Sequence, residues 1–113
     1  MGKKRCFLSG LEIPQGKLSK EHLAPKSKLP YKIASLPYNI VPAIKIFNNI
    51  KGDLFLCEWE KVKYDLCFTA LGWNLKFADR KLVEKALADG MPKINPCKYC
   101  ICMFYQEYCV KNR

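Results

Sequence analysis

Four polar residues, Ser-Lys-Glu-His, stand between Leu18 and Leu23, and residues 18–23 read as a short β-strand whose successive side chains alternate between two faces. That alternation sends Glu21 and His22 to opposite faces, although a strand end or bulge can bring both toward one reaction centre. Residues 39–41, Asn-Ile-Val, read as a partner strand with Pro42 tolerated at its edge or end. From about 43 to 51 the pattern turns helical and carries Asn48; Gly52 ends this helix, and Asp53 is a good N-cap for another. Leu54, Phe55, Cys57, Trp59, Val62, Leu66 and Cys67 then form a broad apolar stripe, with Trp59 read as core. After a turn around Gly72, Asp79 is expected to cap an amphipathic helix that turns Leu82, Val83, Ala86 and Leu87 inward and stops at Gly90. Upstream, residues 6–13 read as a hairpin or knuckle turning at Ser9-Gly10, followed by a second turn at Pro14-Gln15-Gly16.

The chain has 113 residues, half of them hydrophobic and 12% aromatic, enough for one domain with a modest core and too apolar for a disordered basic tail. Strands followed by helices predict an α+β fold. Lys and Arg number 20 against 10 acids, a formal charge of +10, which favours polyanionic partners, nucleic acid first. Residues 1–5 are basic with no apolar run behind them, and no stretch approaches the ~18 apolar residues of a membrane span. Seven cysteines, an odd number, suit a reducing compartment better than a disulfide framework. The expectation is a soluble cytoplasmic protein with no membrane association.

The candidate chemistry lies between Glu21 and Asp53, which enclose the sole histidine. A Glu21 carboxylate and an Asn48 amide oxygen are hard ligands suited to Mg2+ or Mn2+. Such an ion, bound to a substrate phosphate, stabilises charge on a leaving oxygen. His22 has an ordinary pKa near neutrality and can take a proton from an attacking water. Together these groups suit phosphodiester hydrolysis. The loop from 25 to 37 carries Lys26, Lys28, Lys32 and Tyr31, with Tyr38 beside it. It reads equally as a contact surface for phosphates and stacked bases or as an ordinary solvated loop. Lys45, Lys51, Lys61 and Lys63 extend a basic track only if folding places them on one face.

Three segments, Glu21-His22-Leu23-Ala24-Pro25-Lys26-Ser27, Asn39-Ile40-Val41-Pro42-Ala43 and Asn48-Asn49-Ile50-Lys51-Gly52-Asp53, occur in this order. They resemble the core of the HNH (ββα-metal) endonucleases. The resemblance implies a ββα-metal core over residues 1–55 and a helical extension over 56–113. It implies His22 as general base, Glu21 and Asn48 as holders of one divalent metal, and Asn39 as the residue that orients the loop and the histidine. Lys26, Ser27 and Lys51 are further candidates for phosphate contact or loop support. The implied substrate is DNA, double-stranded first.

The sequence departs from that family at its structural zinc. The first cysteine pair survives as Cys6 with Ser9 in the second place, and Ile44 and Phe47 stand where the second pair would be. One thiolate of four predicts no zinc there, with Ile44 and Phe47 packing on the knuckle instead. Near the C-terminus, Pro92 and Pro96 bracket a linker that leads to Cys97, Cys100 and Cys109. These cysteines are either a structural Zn2+ site completed from Cys6, Cys57 or Cys67, or buried apolar thiols. Two rival functions remain: a noncatalytic nucleic-acid-binding module, and a structural subunit of a nucleoprotein or phage assembly. A protein partner or homodimer is left open.

Overall fold

The computed structural model describes residues 4–99. The two strands of its one described sheet, β1 (Leu18–His22) and β2 (Ile40–Ile44), pair antiparallel in the register Leu18–Ile44 through His22–Ile40. Leu23 N–H donates to Asn39 O, and Lys45 N–H to Lys17 O, at the two ends of the ladder. Alternation along the ladder makes Lys20–Pro42 a non-hydrogen-bonded pair, so the missing proline N–H faces away from β1 and breaks no ladder bond.

The outer edge of β2 is covered by the N-terminal knuckle. Arg5 and Glu12 bridge there, Gly10 makes the turn with φ +79°, and Phe7 N–H donates to Pro42 O at 2.9 Å. Ile44 N–H donates to Cys6 Sγ at 3.3 Å, and Ser9 Oγ accepts from Leu11 N–H. Ile44 and Phe47 are fully buried in the same cluster as Cys6, Leu8 and Leu11. Apolar burial, worth about 1.5–3 kcal/mol per side chain, thus joins the knuckle to the sheet.

Between the strands runs a loop with a one-turn helix, α1 (Tyr31–Ala34), between two 3-10 turns, Lys26–Lys28 and Pro37–Asn39. It has its own small core of Ala24, Leu29 and Ala34 against Phe55 and Cys57. Helix α2 (Lys45–Lys51) follows β2 directly and ends at Gly52, whose φ of +56° suits glycine. Ala43, expected in this helix, belongs to β2 instead.

Helix α3 (Leu56–Ala70) starts two residues later than an Asp53 cap would place it. Its first turn is capped by Glu58, whose Oε1 accepts from Phe55 N–H at 2.8 Å, so Asp53 is free for another role. Helix α4 (Phe77–Asp89) begins before Asp79, which lies in its first turn and pairs with Lys17 at 3.2 Å rather than capping the helix. Gly90, φ +83°, ends α4 as expected. The main core joins the knuckle, the sheet, α2, α3 and α4 around Phe47 and Trp59.

Residues 91–95 are not a loose linker. Met91 and Ile94 are buried in that core, and Lys63 and Glu60 of α3 bond to Pro92 O and Ile94 N–H before the short α5 (Pro96–Tyr99). The described protein is therefore a small mixed α and β fold with a two-stranded sheet and five helices. Among the described residues no helix is long and apolar enough to cross a membrane.

Phe47→Ala is expected to lower unfolding free energy by about 3–5 kcal/mol, through lost burial and the cavity left behind. Phe77→Ala, at a side chain 75% exposed, should stay within about 0.5 kcal/mol of wild type. Urea unfolding at unchanged slope measures both.

Candidate active site at the end of the sheet

Where β1 ends, the turn at Pro25–Ser27 and the second half of α2 enclose an open cleft of about 460 Å3. Glu21, His22, Lys26, Ser27 and Asn48 all line it, with Lys20, Pro25, Asn49, Gly52 and Asp53. Glu21 and His22 alternate along the strand, yet both border the cleft because His22 is the last residue of β1. The fold thus brings Asn48 to residues 27 and 26 positions earlier in the chain.

Asn48 is tied to β1. Its Nδ2 donates to Lys20 O at 3.2 Å and to Ser19 Oγ at 3.3 Å. With the amide nitrogen committed to the strand, Oδ1 is the atom left to meet a ligand. Asn39 does not line the cleft; it is buried beneath the loop. Its Nδ2 donates to Ala24 O and Ala34 O at 3.0 Å, and its Oδ1 accepts from Ala24 N–H at 2.9 Å. One side chain therefore closes the loop that starts two residues after His22.

Glu21 is only 4% exposed. Burial pushes its carboxyl up to about 7, against the opposing pull of the Lys51 ammonium and a backbone hydrogen bond. Oε1 lies 3.7 Å from Lys51 Nζ, an ion pair too long for a hydrogen bond. Oε2 is buried with no hydrogen-bond partner among the described residues. An orphaned carboxylate oxygen is costly to bury, and a hard cation is a group that would satisfy it. Among the described residues no three His, Cys, Asp or Glu side chains gather as a metal site. The donor set is one carboxylate and one amide oxygen, which suits an ion that keeps most of its waters, as Mg2+ does. His22 is partly buried, and its pKa is lowered by burial first and by the nearby Lys26 and Lys51 charges second. Its imidazole is neutral at pH 7 and available as a proton acceptor.

Of the two roles expected for Lys51, the structure favours support over phosphate contact: it is 1% exposed and does not border the cleft. Its Nζ donates to Leu54 O at 2.6 Å and to His22 O at 3.1 Å, holding the strand end from behind. Lys63 is buried as well, paired with Glu60 at 2.6 Å, so the basic track loses both residues and retains Lys45 and Lys61 on the surface. Asp53, expected as a helix cap, instead accepts from Ser27 Oγ at 3.1 Å across the cleft mouth. Its place just past the end of α2, five residues after Asn48, was the signal for that role. Cys97 is exposed while Cys6, Cys57 and Cys67 are buried, and burial raises the Cys67 thiol to about 11. Of Cys97, Cys100 and Cys109, read as either a zinc group or buried thiols, the last two lie outside the described residues.

No protein-family model, curated protein or solved structure matches this chain. The site rests on its own geometry.

Asn39→Ala should destabilise the protein by roughly 2–4 kcal/mol, because it strands the buried Ala24 N–H, Ala24 O and Ala34 O; chemical denaturation measures this. Glu21 gives a pH signature. Its folded-state pKa of about 7 lies above the ordinary 4.5, so between those values the folded protein keeps a proton that the unfolded chain releases. Stability from this group is full below pH 4.5 and is lost as pH rises to about 7. In EDTA, the urea midpoint of wild type should fall more steeply across that window than that of Glu21→Gln.

Proposed function

We propose that this protein is a divalent-metal-dependent endonuclease of the ββα-metal (HNH) type, hydrolysing phosphodiester bonds in DNA. The observation that carries the reading is the convergence of Glu21, His22 and Asn48 on one cleft, at the joint of two antiparallel strands and the helix after them. Asn39 braces that joint from below. The acid-poor surface around it supports a polyanionic substrate, since no Asp or Glu occurs between Glu21 and Asp53 while Lys26, Lys28, Lys32 and Lys45 are exposed.

In this reading Glu21 and Asn48 would hold Mg2+ or Mn2+, which when bound offsets negative charge on the scissile phosphate and the leaving 3′ oxygen. The neutral His22 imidazole takes the proton of a water as its oxygen bonds to phosphorus and the bond from phosphorus to the 3′ oxygen breaks. Lys51 fixes the His22 carbonyl, so the imidazole starts from a braced backbone. Ser27 and Asp53 close the mouth, and Lys26 offers its charge to the phosphate.

A supercoiled-plasmid nicking assay tests this. Wild type should cut with Mg2+ or Mn2+ and not in EDTA, and His22→Ala should slow cutting by about 10²–10⁴-fold. Full cutting by His22→Ala removes the mechanism. Metal-independent shifting of DNA by both proteins, with no cutting by either, replaces it with a noncatalytic binding module.

A further inference from the structure

The loop beside the cleft presents Tyr31 in an unusual way. Its side chain is 82% exposed, more than any other large apolar or aromatic side chain among the described residues. The backbone that carries it is nonetheless held firmly on both sides. Leu29, two residues before, and Ala34, three residues after, are buried with Phe55 in the loop's own small core. Ile33 N–H and Ala34 N–H donate to Pro30 O at 3.0 Å, Ser35 N–H donates to Tyr31 O, and Ala34 O accepts from Asn39. A large ring carried on a braced turn can stack without the cost of ordering the backbone that bears it.

Its surroundings name the kind of ligand. Lys26, Lys28 and Lys32 are exposed within the same loop, and the chain carries no acid from His22 to Gly52. Helices α3 and α4 differ: residues 53–91 hold seven acids against six Lys and Arg. Positive charge is thus concentrated on the half of the protein that bears Tyr31. Lys26 lines the cleft, and five residues of chain limit the backbone distance from Lys26 to Tyr31 to about 17 Å. That span corresponds to a few nucleotides. An exposed aromatic ring between phosphate-binding lysines is the arrangement by which proteins hold unpaired bases.

We propose that Tyr31 is a base-stacking platform, and that the cleft therefore takes nucleic acid with unpaired nucleotides next to the bond to be cut. This rests on the nuclease reading for the cut and on Tyr31 alone for the strand preference. In fully paired duplex the base faces are covered by stacking, and Tyr31 has nothing to receive.

Fluorescence anisotropy in EDTA, with a labelled oligothymidine strand and a duplex of equal length, tests the inference without cleavage. Tyr31→Ala should weaken binding of the single strand by roughly tenfold and leave the duplex nearly unchanged. Tyr31→Phe, which keeps the ring, should bind like wild type. The exposed position lets the Ala variant fold, and an unchanged urea midpoint checks this. Unaltered strand binding by Tyr31→Ala, an equal loss on strand and duplex, or no strand binding by wild type would each overturn the proposal. Plasmid nicking is read separately. Nicking that survives any of those results keeps the catalytic reading, and tyrosine-dependent strand binding without metal-dependent cutting defeats the catalytic reading alone.

Discussion

A buried ammonium sets the terms for this fold. Lys51 is almost wholly removed from water, and an ion in that position costs on the order of several kcal/mol unless its donors are met. Burial accordingly lowers its pKa, and the Glu21 charge opposes that shift. The acceptors are His22 O on the last residue of β1, Leu54 O beyond α2, and, at longer range, the Glu21 carboxylate. They can be assembled only when the end of β1, the end of α2 and the following turn meet. That meeting point lies behind the cleft, whose lining includes Glu21, His22 and Gly52. One electrostatic requirement therefore both closes the fold and fixes the backbone from which His22 projects.

The rest of the chain relieves this joint of other structural duties. Where a zinc knuckle would use four thiolates, Cys6 contributes a sulfur acceptor to Ile44 N–H, and Ile44 and Phe47 fill the space with apolar volume. Helices α3 and α4 then enlarge that core, with Trp59 fully buried between them and the sheet. A strand pair and a seven-residue helix bury too little to hold together alone. The near-neutral helical half supplies the missing burial and leaves the basic loop free for surface chemistry.

Much of this was legible from pattern. The apolar spacing together with Gly90 located α4, because burial on one face imposes that period, while β1 was placed with no apolar period of its own. The boundaries were less legible where capping residues competed. Asp53 is a good cap by type, but Glu58 reaches the Phe55 amide and Ser27 engages Asp53, which moves the helix start. The burial of Lys51 and Lys63 was not legible because lysine is ordinarily a surface residue; only the acceptors gathered by tertiary structure make burial tolerable. Met91 and Ile94, three residues apart on either side of Pro92, were a faint sign that the stretch packs. At the site, residue type and order suggested Glu21, His22 and Asn48, while the reach of Asn39 to Ala24 and Ala34 required the loop to be folded.

The same burial acts on the two titratable groups of the cleft in opposite chemical senses. Removing water disfavours charge, so it raises the Glu21 carboxyl and lowers the His22 imidazole. For His22 the result suits the proposed mechanism, since a neutral ring at pH 7 is the form that accepts a proton. For Glu21 it is a tension: the carboxylate a metal needs is the form the protein alone holds poorly, and Lys51 at 3.7 Å compensates only in part. Its unpaired Oε2 is the visible remainder of that tension. A cation at this oxygen would displace the proton and take up the uncompensated charge. If Glu21 holds a metal as proposed, the strain in the isolated protein and the affinity for a hard ion would be two aspects of one buried carboxylate.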